Sequence, residues 1–168
     1  MAVSNEREFH FSTEVRVRLP ETDAMGVVFH GNYFTYLEVG RVDYLLNLGL
    51  TEGNRPIRDF DNVVVSAHLD FRSPARLHDV LKIEVRVSEI RTASIRFEFR
   101  IRNRRSNALV AEGYTVHCAI GEDFKPQPVP TSFRGVIAGR VAAMWSDVSV
   151  GPVAYARSQI DGSQVGAM

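Results

Sequence analysis

Five segments of the chain have the polar and apolar pattern of β-strands. The first, EVRVRL at residues 14–19, alternates strictly. The other four are joined by short connections typical of antiparallel hairpins, and they cover residues 63–72, 80–90, 94–103 and 109–120. In the segment at 94–103, Arg96, Arg100 and Arg102 alternate with apolar side chains. This alternation predicts a sheet with one buried and one polar face.

A long amphipathic stretch separates the first strand from the other four. Residues 32–48 read NYFTYLEVGRVDYLLNL, and apolar side chains recur there at intervals of three and four, which predicts a helix. Phe34, Leu45 and Leu46 widen the apolar face, so we expect the helix to be covered on more than one side. Gly40 costs about 1 kcal/mol relative to Ala within a helix, and a close approach to another backbone would explain it.

The pattern changes after the last strand, where three prolines end the sheet. Thr131 or Ser132 could cap a short helix that runs through Trp145. The chain of 168 residues is long enough for one domain. We therefore predict a single domain over residues 1–135 and a C-terminal extension over 136–168, made of the short helix and a loosely held tail.

Composition excludes some classes of function. Lys plus Arg equals Asp plus Glu at 20 each, which argues against a general nucleic-acid binder. The single cysteine, Cys118, lies in an apolar run and is interpreted as a small buried hydrophobe. The histidines are not spaced as a metal site. Because there is no signal pattern and no apolar run long enough to cross a bilayer, we expect a soluble, cytoplasmic protein with no membrane partner.

Candidate chemistry lies between the first strand and the helix, in ETDAMGVVFHGNYF at residues 21–34. Asp23 stands just upstream of the helix, and Gly26 allows the chain to fold back. Taken alone, this spacing favours a turn acid or an Asx-type cap for Asp23. Glu21 is interpreted as a solvated or orienting residue.

The D-x-x-G-V-V-x-H-x-N-Y-F motif, followed by DFRSPARLHDVLKIEVRV and an Arg-x-x-Ser hairpin, resembles the 4-hydroxybenzoyl-CoA thioesterase family of hotdog-fold proteins. It looks closest to the branch found with the Tol-Pal genes, and it covers roughly residues 10–130. The resemblance implies an α+β hotdog fold, in which a curved five-stranded antiparallel sheet wraps a long central helix. It also implies homodimers, often paired into homotetramers, with sites for acyl-CoA at the subunit interface.

The resemblance assigns the catalytic groups residue by residue. Asp23 matches the family's catalytic aspartate, as nucleophile or general base. The backbone N–H of His30, assisted by that of Gly31, matches the donor that stabilises the oxyanion. The implied enzyme is an acyl-CoA thioesterase that needs no metal and no redox cofactor.

Substrate contacts are expected from four further residues. Asn32 is interpreted as a helix cap or as a hydrogen-bond partner near the thioester, and Tyr33 as a pocket residue unless it belongs to the core. Arg91 and Ser94 match the hairpin that receives the nucleotide end of coenzyme A, although Arg91 could equally be a solvated turn residue.

Alternatives remain at this point. Glu38 is the rival carboxylate, since a second branch of hotdog thioesterases carries its acid on the central helix, but a structural pair with Arg41 or a partner chain is favoured. A non-catalytic acyl-CoA-binding hotdog module is the alternative function. A hydratase or dehydratase would need a His-plus-acid motif, which the sequence does not show.

Overall fold

The computed structural model describes residues 9–50 and 60–146 of the chain, with side chains through residue 139. The elements are, in chain order, β1 (Phe11–Arg16), α1 (Asn32–Asn47), β2 (Asp61–Phe71), β3 (Val80–Ile90), β4 (Ser94–Asn103), β5 (Leu109–Ile120) and α2 (Thr131–Ser146). The predicted tail beyond residue 146 lies outside the described residues.

The strands form one antiparallel sheet in the order β1-β3-β4-β5-β2. The first two strands in the sequence therefore lie at the two edges, and the hairpins formed by the last three strands fill the centre. The predicted five-stranded antiparallel sheet is confirmed, as is the long helix between its first two strands.

The core lies between α1 and the inner face of the sheet. Alternate side chains of the central strands point to it, because successive residues of a strand face opposite sides. The most buried of these are Leu81, Ile83, Val85, Ile95, Phe97, Phe99 and Ile101. From α1 the buried side chains include Tyr33, Tyr36, Leu37 and Leu45.

Gly40 faces β3 from the middle of α1. A Cβ added there would lie 2.7 Å from Cγ2 of Ile83 and 3.0 Å from Cγ2 of Val85. The predicted close approach is present, but it is to strand side chains and not to another backbone. The glycine therefore sets how closely the helix packs on the sheet.

β1 differs from the prediction, since it covers residues 11–16 and not 14–19. The alternation continues to Leu19, but Pro20 has no N–H to donate to a neighbouring strand. The chain instead forms a short 3-10 turn over Leu19–Glu21. The Arg18 N–H donates to Oε2 of Glu21 at 2.8 Å, which stabilises this turn.

α2 begins at Thr131 and packs against the end of the core. Phe133 is 1% exposed and meets Phe60 edge to face, with ring centroids 5.6 Å apart. Ile137 joins the same apolar cluster. The predicted boundary between residues 135 and 136 thus falls inside a helix, and the division into domain and extension stays a prediction.

The outer face of the sheet is polar, as the alternating arginines predict. Arg96 lies over the Tyr114 ring, 3.5 Å from its centroid, and Arg100 lies 4.6 Å from that of Phe9. These arginines are half-buried by their neighbours and are not freely solvated. Cys118 is half-buried, so the prediction of a buried cysteine is wrong.

Candidate active site

Asp23 lies in a tight turn ahead of α1. Its N–H donates to the Val27 carbonyl at 2.9 Å, and the Gly26 N–H donates to the Asp23 carbonyl at 2.9 Å. Gly26 has φ of +71°, in the left-handed region that glycine adopts without strain. The Met25 N–H donates to Oδ1 of Asp23 at 2.8 Å, which is an Asx turn. The turn interpretation is therefore correct, and it leaves the carboxylate exposed.

Only one oxygen of that carboxylate takes part in the turn. Oδ2 of Asp23 accepts no hydrogen bond from residues 9–50 or 60–146. The turn thus fixes the orientation of the side chain while one oxygen stays available to an incoming group. Asp23 can therefore hold the turn through Oδ1 and still react through Oδ2.

The loop is anchored to the body of the protein on both sides. The Val28 N–H donates to the Ala75 carbonyl at 2.9 Å. The Glu21 carbonyl accepts the Phe29 N–H at 2.9 Å and Nδ2 of Asn32 at 2.8 Å. Asn32 thus uses its amide to hold the loop, which makes it a positioning residue, and its predicted contact with the substrate stays a prediction.

Glu21 is buried beneath this loop. Its Oε2 accepts the Tyr36 hydroxyl at 2.7 Å, and its Oε1 accepts Nε of Arg18 at 2.8 Å. Burial alone would raise the pKa of Glu21, but hydrogen bonds from Arg18 and Tyr36 outweigh it and lower the pKa. Burial and the Glu21 carboxylate both raise the pKa of Tyr36. The solvated interpretation of Glu21 is wrong, and the orienting one agrees with these contacts.

Two amides at the start of α1 have no protein partner in the part of the chain that the structure describes. The amides of residues 32–34 donate to the carbonyls of residues 29–31 at 2.9 to 3.3 Å. The N–H groups of His30 and Gly31 donate to no acceptor within the described ranges. They lie where the partial positive charge of the helix is greatest. A negatively charged oxygen could be stabilised there without any side chain.

Tyr33 lies in the core. It is 3% exposed, and its ring centroid lies 5.2 Å from that of Phe71 and 5.9 Å from that of Tyr36. Burial raises the pKa of its hydroxyl. Its position is that of a packing residue beside the helix start, so the core interpretation fits it better than contact with a substrate.

Arg91 and Ser94 meet at the β3–β4 hairpin, where the Arg91 N–H donates to the Ser94 carbonyl at 2.8 Å. Nε of Arg91 lies 2.9 Å from Oε1 of Glu89, and the arginine side chain is 73% exposed. Both residues line a shallow polar depression of about 140 Å³ together with Arg96 and Tyr114.

This hairpin and Asp23 lie at opposite ends of the strands. Ser94 is paired with Cys118, which is paired with Val63 at the start of β2, whereas the Asp23 loop is anchored to Ala75, beyond the end of β2. Strands of ten residues span about 30 Å. The predicted nucleotide contacts and the predicted carboxylate are therefore not brought together within one chain.

A second group of polar residues lies under α1, around the rival carboxylate Glu38, and it includes Thr115 and His117, which sequence reasoning did not place in a site. Nε of Arg41 donates to Oε2 of Glu38 at 2.9 Å, so the predicted structural pair is confirmed. Nδ1 of His117 lies 2.9 Å from Oδ1 of Asn62, and its Nε2 lies 3.0 Å from Oγ1 of Thr115. The sequence feature that could have identified this group is the alternation along β5, which places Thr115 and His117 on the inward-facing side of the strand.

A cavity of about 150 Å³ lies beside these residues. It is lined by Phe34, Leu37, Glu38, Arg41, Val64, Ala67, Phe99, Thr115 and His117. The described residues contain no group of three His, Cys, Asp or Glu side chains that could hold a metal ion. Among the same residues, no helix has both the length and the apolar composition needed to span a bilayer.

A five-stranded antiparallel sheet packed on one long helix, which lies between the first two strands in sequence, is the fold of the hotdog thioesterases. Comparison with protein families agrees, because the model of the thioesterase-like superfamily matches residues 17–137. The chain belongs to this superfamily, and the predictions of the family, the fold and a thioester hydrolase are confirmed.

Individual relatives refine the placement. The chain is 36% identical to the acyl-CoA thioesterase YbgC of Haemophilus influenzae over 120 residues, which is 71% of this chain and 86% of that protein. The solved structure of Slr0204, a 1,4-dihydroxy-2-naphthoyl-CoA thioesterase from Synechocystis, has a TM-score of 0.69 at 25% identity and covers 76% of this chain and 95% of that chain. A 4-hydroxybenzoyl-CoA thioesterase complexed with 4-hydroxybenzoyl-CoA shares the fold, with a TM-score of 0.68 at 20% identity over 76% of this chain and 97% of that chain.

Proposed function

We propose that this protein is an acyl-CoA thioesterase in which Asp23 acts on the thioester carbonyl and the N–H groups of His30 and Gly31 stabilise the oxyanion. The observation that carries the proposal is an exposed carboxylate, fixed by the Met25 N–H, in the turn that precedes a helix start whose His30 and Gly31 amides have no partner among the described residues. The relationship to YbgC supports an acyl-CoA substrate.

The reaction adds water across the thioester and releases a free acid and coenzyme A. With Asp23 as general base, Oδ2 takes a proton from water while the water oxygen attacks the carbonyl carbon. The tetrahedral intermediate then collapses, the C–S bond breaks, and coenzyme A leaves as a thiolate that can take the proton back from Asp23. With Asp23 as nucleophile, Oδ2 attacks first, coenzyme A leaves as a thiolate, and water then hydrolyses the mixed anhydride. In both routes the carbonyl oxygen becomes an oxyanion, and the two free amides are suited to bind it.

We propose that the working enzyme is a homodimer or a pair of dimers, built through the β2 edge. This strand lies at the edge of the sheet and exposes Val63, Val64, Val65 and Phe71. If two β2 strands meet antiparallel, the start of one lies beside the end of the other. A partner's Arg91 hairpin would then lie at the Asp23 end of this chain, which would resolve their separation within one chain.

The test is thiol release from a panel of acyl-CoA thioesters. We expect Asp23→Asn to lower kcat by at least ~10²-fold, because an essential base or nucleophile is lost, while Asn preserves the Asx turn. Asp123→Asn is the matched control, since Oδ1 of Asp123 accepts the Lys125 N–H at 3.1 Å in the same two-residue pattern. It should keep full activity.

The same panel tests the rival assignments. Full activity of Asp23→Asn together with an inactive Glu38→Gln would move the acid to the helix. A wild-type protein that binds acyl-CoA but releases no thiol would instead be a binding module. The cytoplasmic location and the absence of a cofactor stay predictions.

A further inference from the structure

The cavity under α1 begins at the helix turn that also carries the free amides. Phe34, Leu37, Glu38 and Arg41 line it at intervals of three and four, so they form one stripe along the helix. At 1.5 Å per residue, this stripe runs for about 10 Å away from the helix start. A group that extends from a carbonyl held at His30 and Gly31 would follow this stripe.

The size and the walls of the cavity suit a small acyl group. Its volume of about 150 Å³ is close to that of protein cavities that hold one benzene molecule. Leu37 and Phe99 form part of its buried apolar wall. Val64 is 55% exposed and Phe34 41% exposed, so the opening lies on the side of β2.

One hydrogen-bond donor of Arg41, in the wall of the cavity, has no partner among the described residues. The residue is 6% exposed, and two of its nitrogens donate to Glu38. Its third nitrogen, Nη1, is buried and has no hydrogen-bond partner among the described residues. Leaving such a donor unpaired is unfavourable, because it loses its hydrogen bonds to water without gaining others. The cavity that Arg41 lines offers space for an acceptor.

The other polar groups in the wall are already satisfied. Because Oδ1 of Asn62 can only accept, Nδ1 of His117 carries the proton. Nε2 of His117 then accepts the Thr115 hydroxyl. Burial, and next the charge of Arg41, lower the pKa of His117 to about 4, so its ring is neutral at pH 7.

The cavity therefore carries no net charge, because Glu38 balances Arg41. A carboxylate in the ligand would lie near that of Glu38, whereas a neutral oxygen would accept from Nη1 without repulsion. We propose that this cavity holds the acyl group of the substrate and that Arg41 selects acyl groups with a hydroxyl or keto oxygen at the end distant from the thioester. This inference rests on the proposed function and names its substrate class.

The experiment compares matched pairs of substrates, acyl-CoA and the same acyl group with a terminal hydroxyl, from four to eight carbons. At one chain length we expect the hydroxyl to raise kcat/KM by about 10- to 100-fold, the usual effect of a hydrogen bond to a charged group. Arg41→Gln should reduce this preference to less than about 3-fold. Arg104→Gln, at a 63% exposed arginine paired with Glu14, should retain it.

Two further measurements keep the inference testable if Arg41→Gln fails to fold or if turnover fails. Ala67→Leu adds bulk at the cavity wall and should shift the best chain length down by about two carbons. Binding of non-hydrolysable thioether analogues of the same pairs, measured by calorimetry, should show the same preference for the hydroxyl without any turnover.

The outcomes distinguish a failure of the selection by Arg41 from a failure of the proposed hydrolysis. Hydrolysis of plain acyl-CoA with no gain from a hydroxyl at any length would overturn the selection by Arg41 and leave the proposed function standing. An unchanged chain-length profile in Ala67→Leu would exclude this cavity as the acyl site. Analogue binding that prefers the hydroxyl, in a protein that releases no thiol, would overturn only the proposed hydrolysis.

Discussion

At the scale of single residues, Glu21 and Asp23 are two neighbouring carboxylates with opposite surroundings. Glu21 is buried and accepts hydrogen bonds from Arg18 and Tyr36. Asp23 is exposed and accepts one, from the Met25 N–H. Glu21 holds the loop to the core. Asp23 therefore keeps its orientation without any hydrogen bond to its second oxygen, Oδ2.

Glu21→Gln should lower the free energy of unfolding by about 1–3 kcal/mol at pH 7, because the charged acceptor of four donors is lost. The folded pKa of Glu21 lies below its ordinary value of 4.5. Its stabilisation is therefore present above pH 4.5 and is lost as the pH falls through the folded pKa.

Urea unfolding at pH 7 and at successively lower pH measures this effect. The difference between wild type and Glu21→Gln should shrink below pH 4.5. The exposed Glu122 provides the control, since Glu122→Gln should change stability little at either pH. A difference that is constant with pH would mean that the Glu21 charge is not what holds the loop.

Arg91→Ala tests the nucleotide contact. The side chain is 73% exposed and already pairs with Glu89, so we expect KM for acyl-CoA to rise only about 2- to 5-fold, with kcat unchanged. The rise should shrink at high salt, because exposed charges are screened over ~10 Å at 0.1 M. The same acyl group on a short thiol should show no effect. An equal loss on both substrates would assign Arg91 to the fold.

At the scale of elements, the packing of α1 on β3 depends on Gly40. Gly40→Ala places a methyl group 2.7 Å from the Ile83 side chain, and overpacking of this kind costs about 1–3 kcal/mol. The gain in helix propensity, about 1 kcal/mol, offsets part of it. We expect a net loss of up to about 2 kcal/mol in urea unfolding.

Gly135 in α2 is the matched control, because nothing lies within 4 Å of an added Cβ. Gly135→Ala should be neutral or stabilising by up to about 1 kcal/mol. If both variants gain stability, the close approach at Gly40 is not a constraint on the fold.

Local pattern was sufficient for most elements. The bounds of β3, β4 and β5 agree with the sequence pattern, because alternation and short turns are local properties. β1 was placed three residues too late because the alternation of EVRVRL continues past the point where pairing stops. After the strand the chain enters the 3-10 turn that contains Pro20 and is held by the Arg18–Glu21 hydrogen bond, and the alternation of side chains does not reveal this turn.

At the scale of the whole molecule, β2 offers the test of assembly. Val65 is 59% exposed within an apolar run of this edge strand. Val65→Lys should convert the oligomer to a monomer, measured by light scattering at micromolar concentration, and should abolish activity with it. Ser12→Lys, on the opposite edge strand β1, should do neither. A wild-type monomer at this concentration would exclude an interfacial site.

Only part of the site was predictable from the sequence, because the rest depends on how the whole sheet is arranged. The motif placed Asp23 before the helix, and the structure puts it in the exposed turn of residues 23–27 that leads to the helix. The separation of Arg91 from Asp23 follows from strand direction across the whole sheet, which no local pattern contains. The polar group around His117 was missed because its partner Asn62 lies 55 positions away.

The Asx turn at Asp23 has a consequence for how this enzyme can diversify. Its hydrogen bonds come from the backbone of residues 23–27, apart from the carboxylate itself, and the Met25 side chain is 81% exposed. Substitutions at the loop tip therefore leave the geometry of the carboxylate intact. Evolution can vary the rim that an incoming substrate meets at Ala24 and Met25 while the chemistry behind it stays constant.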